Sequence, residues 1–416
     1  MQNQTATYPS SYREAQHKAI VQNHIGEIFR DYGEHYIRNY SPDLRKIKLI
    51  KAIRLCKSPA LGGKVIVCQI CDHHHYVYHS CGHSHCPICQ SIKREQWIDK
   101  LKNELLNVPY VHMIFTLPHE LNSVARLNKS IIYSLIMKCA WATVKTLASD
   151  SDNIGGLPGM INVLHTFGSD LKYHIHTHCL VTFGGINQNH QWVHPKRKDK
   201  IARYRQINST YKKLFIAELK GLYKKGSIKY AFDFKELIEV LERKTWVVHN
   251  TKPTIDTSVL ENYLARYINR VAVSKSRVEY LKATKEVRIL YNDYANQKEG
   301  EAAPKKHKLT NPLSFIHQFM QHVLPAYFQK TRRYGLHASA TKRKYEGLLP
   351  EAIKRNGHIV RTVMQIIKQL TKENPYVCEI CQSEEYEILV IKAKKDWVHQ
   401  YINVPNPRSP PNKISI

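Results

Sequence analysis

The stretch Tyr173-His174-Ile175-His176-Thr177-His178-Cys179-Leu180-Val181-Thr182-Phe183 constrains this chain more than any other. It is rich in β-branched and aromatic residues and is stopped by Gly184-Gly185, the composition and punctuation of a β-strand. Side chains on a strand alternate between faces. His174, His176 and His178 therefore share one face, and Ile175, Thr177 and Cys179 turn the other way into packing. Imidazoles at i and i+2 lie roughly 6–7 Å apart at Cα, close enough to converge on one ion; a separation of about 13 Å, that of His174 and His178, is too great. One metal therefore takes an adjacent pair, His174/His176 or His176/His178. The bland alternative is a polar, solvated strand face.

A second cluster shapes the N-terminal part. Six of the ten cysteines fall within residues 56–89, among histidines. No basic start followed by an apolar run marks a secretory signal, so this crowding reads as metal binding rather than disulfides. Cys68-x2-Cys71 and Cys86-x2-Cys89, fourteen residues apart, have the spacing of two facing zinc knuckles. Four thiolates close the shell, which makes that zinc structural. Cys56, Cys81, His83 and His85 are left over: either some replace a thiolate or a second zinc binds nearby. A redox Cys-x-x-Cys is the runner-up and fits four such cysteines beside histidines less well. In the tail, Cys378-x2-Cys381 is half a zinc ribbon with no second pair in view, either a metal knuckle or two free thiols.

At 416 residues and 43% hydrophobic content the chain has room for two or three domains and a sizeable core. Lys and Arg number 63 against 34 Asp and Glu, a net charge of +29. Such an excess, spread along the whole chain, suits a broad groove for a polyanion, with nucleic acid ahead of an anionic membrane. The 25 tyrosines and 5 tryptophans offer stacking surfaces for unpaired bases as well as core. No uninterrupted apolar run of about 18 residues suggests a membrane span.

In chain order, residues 1–17 are polar and loose, and a helical pattern from His17 to Arg54 is broken at Ser41-Pro42-Asp43. A basic helix from Ile92 to Leu106 packs on the zinc unit. Val108 to Leu117 reads as a strand, Glu120 to Ala148 as a long helix and Met160 to Phe167 as a second strand. Gly168-Ser169-Asp170 turns that strand into the histidine strand, making the two antiparallel neighbours. Lys198–Gly226 and Phe234–Arg243 are helical, and Trp246–His249 is a short strand. Val271–Val273 and Val287–Tyr291 read as two more strands, and residues 296–308 as a polar linker or hairpin. Pro312–Gln329 is helical, bent or broken at Pro325. Arg332-Arg333-Tyr334-Gly335 suits phosphate contacts or a solvated turn, and the chain past Pro405 is disordered.

The remaining decisive stretch is Leu260-Glu261-Asn262-Tyr263-Leu264-Ala265-Arg266-Tyr267-Ile268-Asn269-Arg270-Val271-Ala272-Val273. Tyr263 and Tyr267, at i and i+4, lie on one helix face about 6 Å apart at Cβ. In a tyrosine-rich chain such a pair is more often packing than chemistry. It gains force beside the histidines, because a phenol can cut a phosphodiester whose phosphate a divalent ion polarises.

Taken together these motifs resemble the two-tyrosine, HUH-class rolling-circle transposases of insertion-sequence family ninety-one. Gly62-Gly63-x4-Cys68-x2-Cys71 and His85-Cys86-Pro87-x-Cys89-Gln90 resemble its zinc-binding domain, and His112-x2-Phe115-Thr116-Leu117-Pro118 its first nuclease strand. His174-x-His176-x-His178 resembles its metal strand, and Tyr263-Leu-Ala-Arg-Tyr267 with Arg270-Val-Ala-Val its nucleophile helix. His322-Val-Leu-Pro325 and Arg333-Tyr334-Gly335-Leu336 resemble its C-terminal part. Thr177 stands where the motif carries a bulky hydrophobe, Ile175 where proline is common, and Asn269 where histidine is frequent.

The resemblance implies an α+β fold, an HUH-type nuclease with a central antiparallel sheet flanked by helices. It implies a helical and zinc-binding domain over 1–106, the nuclease over 107–295 and a basic, mainly helical region over 296–416. His176 and His178 would hold Mg or Mn, with His174 or Asp170 as third ligand. Tyr263 and Tyr267 would be the nucleophiles. Cys68, Cys71, Cys86 and Cys89 would hold zinc, with Cys81, His85 and Cys56 as further candidates. Arg266, Arg270, Arg332 and Arg333 would contact DNA. The implied partners are single-stranded DNA at the element ends and target DNA, with no membrane and a cytoplasmic location. The alternatives are a rolling-circle replication initiator and a non-enzymatic, zinc-containing nucleic-acid-binding protein.

Overall fold

The computed structural model describes residues 24–256, 272–298, 301–354, 357, 360–371, 374 and 376–393. The expected loose start, the helix of Tyr263, Arg266, Tyr267, Asn269 and Arg270, and the expected disordered end lie outside the described residues.

Helices α1 (His24–Tyr40) and α2 (Leu44–Leu55) are separated at Ser41-Pro42-Asp43 as their pattern predicts. The Asp43 carboxylate accepts from Lys46 N at 3.0 Å and caps α2. Strands β1 (Gly63–Cys68) and β2 (His74–Tyr78) form a hairpin, and α3 (Gln90–Lys102) starts directly after Cys89. The middle of the chain runs β3 (Tyr110–Thr116), α4 (Asn122–Leu127), α5 (Lys129–Ser149), β4 (Gly159–Phe167) and β5 (Tyr173–Thr182). The short pair β6 (Gly185–Ile186) and β7 (Trp192–Val193) precedes α6 (Tyr204–Lys224), α7 (Phe234–Arg243) and β8 (Val248–Asn250). The helical pattern expected without a break from Glu120 is interrupted at Asn128. Its side-chain amide donates to Val124 O and Lys229 O, tying the break to the loop after α6.

Beyond residue 272 come β9 (Val278–Leu281), β10 (Glu286–Asn292), β11 (Lys305–Thr310), α8 (Pro312–Gln321), β12 (Thr331–Gly335), α9 (Ser339–Tyr345), α10 (Val363–Thr371) and β13 (Tyr386–Ile391). The described part of the 296–308 stretch opens β11, which pairs antiparallel with β10. Helix α8 ends at Gln321 and does not bend through Pro325. The expected Val271–Val273 strand is not one where it is described, at Ala272 and Val273. The strand of this region is β9, which pairs with β10.

The central sheet has the order β12-β4-β5-β3-β8, and every neighbouring pair is antiparallel. One face carries Val111, Met113, Phe115, Met160, Leu164, Ile175, Cys179 and Val181, packed against α5, α6 and α7. Thr177 is on that face too, fully buried, its hydroxyl bonded to the Asn162 side-chain oxygen and to Val163 O (3.1 Å). A threonine is thus tolerated in the core of the histidine strand because its one polar atom is satisfied. Helix α5 is long and apolar enough to cross a membrane by length and composition. Its apolar residues, Ile132, Tyr133, Ile136, Met137, Ala140 and Val144 among them, are buried against the sheet, which accounts for that composition.

The opposite face is divided. Near one end Ile161, Val163, Leu180 and Tyr110 pack with Leu101 and Leu106 from the zinc-binding region and with Leu336 and Leu349. Near the other end the histidines emerge. Two strands from beyond residue 296 join sheets formed by earlier residues. Strand β12 lies in the central sheet, and β13 adds to the N-terminal hairpin, giving a three-stranded sheet in the order β13-β1-β2. Gly335 ends β12 at φ +55°, where a Cβ would sit 1.9 Å from Pro158 O; only glycine fits there.

Candidate active site

Strand β5 places its histidines as the alternation predicts, but the third member of the cluster comes from β4. His165 lies directly across from His176 in the β4–β5 register, on the same face. The ligand-capable nitrogens of His165, His176 and His178 lie within 4.8 Å of one another. His165 and His178 are buried, and their ring centroids are 4.6 Å apart. His174 does not join them. The pairing passes from His165–His176 to Phe167–Tyr173, two residues on β4 against three on β5. His174 keeps the alternation, exposed with its ring 5.0 Å from that of His176, but it is not one of the three clustered histidines. Asp170 is also outside the cluster. It sits in the β4–β5 turn, where its carboxylate accepts from Lys172 N (3.2 Å) and pairs with Lys172 Nζ (3.1 Å). Among the described residues the clustered trio is thus His165, His176 and His178, and neither His174 nor Asp170 is a member of it.

Hydrogen bonds set which nitrogen of each ring faces the cluster. His176 Nδ1 bonds its own strand's His174 O at 3.1 Å, which directs Nε2 outward. His178 Nδ1 lies 3.0 Å from Nε2 of His112 on β3, and the two rings stack with centroids 5.2 Å apart. Burial, helped by nearby His249 and His176, pushes His112 well below the ordinary imidazole range. A neutral His112 accepts from His178 Nδ1–H, the arrangement in which a ligand's second nitrogen is held by an outer partner. His165 stacks on Phe167 (5.1 Å, 16° between planes), and Phe167 in turn meets His322 edge-on. Three imidazoles converging on one sheet face suit a divalent ion, which they would hold from one side.

The cysteines group differently from their spacing. Cys56, at the end of α2, gathers with Cys81, Cys86 and Cys89. Cys68 and Cys71, expected to pair with Cys86 and Cys89, gather instead with Cys378 and Cys381. Cys56, Cys86 and Cys89 are buried in a core shared with α1, α2 and α8. Hydrogen bonds from Cys56, Cys81 and Cys86 hold the Cys89 thiol far below its ordinary range, and it stands at the N-terminus of α3. This is a closed tetrathiolate suited to structural zinc. His85 is not part of it. Its Nε2 accepts from Leu324 N at 3.2 Å, and burial pushes it down to about 3.

Arg332 and Arg333 belong to β12. Arg333 forms a two-pronged ion pair with Glu104, its Nη2 2.7 Å from Oε1. Arg332 donates to Ser134 Oγ at 2.8 Å and lies over the Phe328 ring. Both therefore brace the sheet against its neighbours. On either side of the tyrosine stretch, Thr254 bridges to Tyr110, and Ala272 and Val273 pack in the cluster that contains Phe167 and Leu171.

A family model described as a putative transposase matches residues 159–344, and one described as the transposase zinc-binding domain, of IS91 type, matches residues 28–117. The chain is 32% identical over 322 residues to the putative transposase y4qJ of Sinorhizobium fredii, covering 75% of this chain and 79% of that one. The chain belongs to the IS91 family of rolling-circle transposases. It is also 24% identical over 314 residues to the transposase of insertion sequence element IS801 from Pseudomonas savastanoi pv. phaseolicola, covering 74% of each. Among solved structures, TrwC complexed with a 27-mer DNA comprising the recognition hairpin and the cleavage site aligns with 39% of this chain and 74% of its own. The identity is 11% and the TM-score 0.22, too slight a likeness to add to the assignment. In this IS91 transposase the region matched by the putative-transposase model contains His165, His176, His178, Tyr263 and Tyr267. The matched zinc-binding region contains Cys56 to Cys89 and ends far short of Cys378.

Proposed function

We propose that this transposase nicks and rejoins single-stranded DNA at the ends of its element through 5′-phosphotyrosine intermediates. The observation that carries the reading is the convergence of His165, His176 and His178 on one face of the central sheet. Mg or Mn held there would polarise the scissile phosphate and offset charge growing on its oxygens. His112 and the His174 carbonyl keep the His178 and His176 rings turned toward that point. Tyr263 or Tyr267 supplies the nucleophile. The phenol loses its proton, its oxygen bonds to phosphorus, and the P–O3′ bond breaks to leave a free 3′ hydroxyl. The ester keeps the bond energy, so attack by another 3′ hydroxyl rejoins a strand without ATP. Two tyrosines allow two strand ends to be held or cut in succession. The +29 net charge supports a phosphate backbone as partner, both at the ends and on target DNA.

The test is a denaturing gel of the protein incubated with labelled single-stranded element ends and manganese. A covalent adduct should form and be lost in Tyr263→Phe/Tyr267→Phe. Binding without an adduct under every divalent metal tried would leave only a zinc-containing DNA-binding protein.

A further inference from the structure

The pair Cys68–Cys71 has its counterpart more than three hundred residues along the chain. Cys68 Sγ is 3.5 Å from Cys381 Sγ, Cys71 Sγ is 3.5 Å from Cys378 Sγ, and all four sulfurs lie within 4.8 Å of one another. These separations are far beyond a disulfide bond of about 2.05 Å.

The two turns that carry the pairs are built alike. Cys68 N donates to His73 O at 2.9 Å, and Cys378 N donates to Ser383 O at 2.9 Å. Asp72 N donates to Cys68 O at 3.0 Å, and Gln382 N to Cys378 O at 2.9 Å. The residue after each second cysteine has positive φ, 52° at Asp72 and 60° at Gln382. Two equivalent knuckles face each other, the arrangement that tetrahedral thiolate coordination requires.

We infer that Cys68, Cys71, Cys378 and Cys381 bind a second structural zinc that clasps the Cys378–Cys381 turn and the β13 that follows it onto the N-terminal zinc-binding domain. The backbone is already shaped for that closure. Strand β13 pairs antiparallel with β1, from Gly63 opposite Ile391 to Cys68 opposite Tyr386, and Gln69 N donates to Glu385 O at 3.0 Å. Gly62, at φ +69°, lets the strands meet: a Cβ there would lie 2.5 Å from Ile391 O. His73 Nε2 lies 2.8 Å from Glu379 Oε1 across the same junction. Upstream, Arg361 grips Asp99 on α3, its Nη2 2.6 Å from Oδ1. Yet β13 is exposed from Tyr386 to Val390. A strand that buries so little apolar surface holds poorly by itself, and the tetrathiolate supplies what the packing lacks. The zinc-binding unit is thus completed by residues far outside the region its family model matches. This inference is independent of the DNA chemistry.

The test is zinc content per full-length chain by native mass spectrometry after dialysis against a chelator, in a His165→Ala/His176→Ala background so that the imidazole cluster holds no zinc. Two zinc ions are expected, and one in that background with Cys378→Ser/Cys381→Ser added. The serine variant should also show faster amide hydrogen exchange along β1, with exchange around Cys56 and Cys86 unchanged. One zinc in the parent, or two in the serine variant, overturns the inference. If the serine variant does not fold, the parent count of two or one decides the question.

Discussion

Nε2 of His112 lies 3.0 Å from Nδ1 of His178, linking the first strand of the sheet to a metal-facing imidazole on the strand beside it. The bond fixes both the tautomer and the tilt of His178. In His112→Ala that restraint is gone, and affinity for Mn should fall about 10- to 100-fold. His112→Gln, which keeps an acceptor, should recover part of the loss. Calorimetric titration with Mn measures this; an unchanged affinity in His112→Ala would deny His112 the positioning role.

His165 and His174 make opposite predictions. His165 faces His176 across the β4–β5 pair and belongs to the three-histidine cluster, whereas His174, exposed beside His176, does not. Mn binding should be lost in His165→Ala and change less than about threefold in His174→Ala. Electron paramagnetic resonance of bound Mn separates the two.

Thr177→Val tests the core beneath the site. The substitution keeps the shape and the strand preference but removes the one hydroxyl proton shared by the buried Asn162 side-chain oxygen and Val163 O. A buried acceptor stripped of its partner costs about 1–3 kcal/mol. Urea unfolding should show that loss with an unchanged slope.

Acid should destabilise the protein through His322, whose ring bonds Leu171 O at 3.1 Å and faces Thr166 Oγ1 at 3.2 Å. Burial pushes its pKa down to about 4. The unfolded chain takes up this proton near pH 6.5 and the folded chain does not. The contribution to stability is therefore full above about 6.5 and is lost as pH falls toward 4, about 3 kcal/mol in all. Unfolding midpoints between pH 7 and 4.5 should fall more steeply for the wild type than for His322→Gln.

What the sequence discloses is what local periodicity controls. Alternation on the histidine strand places His176 and His178 on one face and Ile175, Thr177 and Cys179 in the core, as found. The third imidazole depends on a neighbouring strand and its register. Counting out from the turn, which pairs Phe167 with Tyr173, would set residue 165 across from residue 175; the register shift beyond Phe167 makes it 176. No local pattern marks that shift, which brings His165 opposite His176. The cysteines mislead for a related reason. Two Cys-x2-Cys motifs at ribbon spacing look like one site, but the β1–β2 hairpin carries Cys68 and Cys71 away from Cys86 and Cys89. Their true partners are joined by a sheet pairing across the length of the chain, which no local pattern encodes. Arg332 and Arg333 look free in sequence; only the placement of β12 brings Ser134 and Glu104 to them.

The most direct measurement is anomalous diffraction from crystals of the full chain soaked in Mn. A single strong peak is predicted on the outer face of the central sheet, within about 2.0–2.2 Å of a ring nitrogen of each of His165, His176 and His178. A peak held by His174 or Asp170 with His165 standing apart, or no peak on that face at all, would contradict the account.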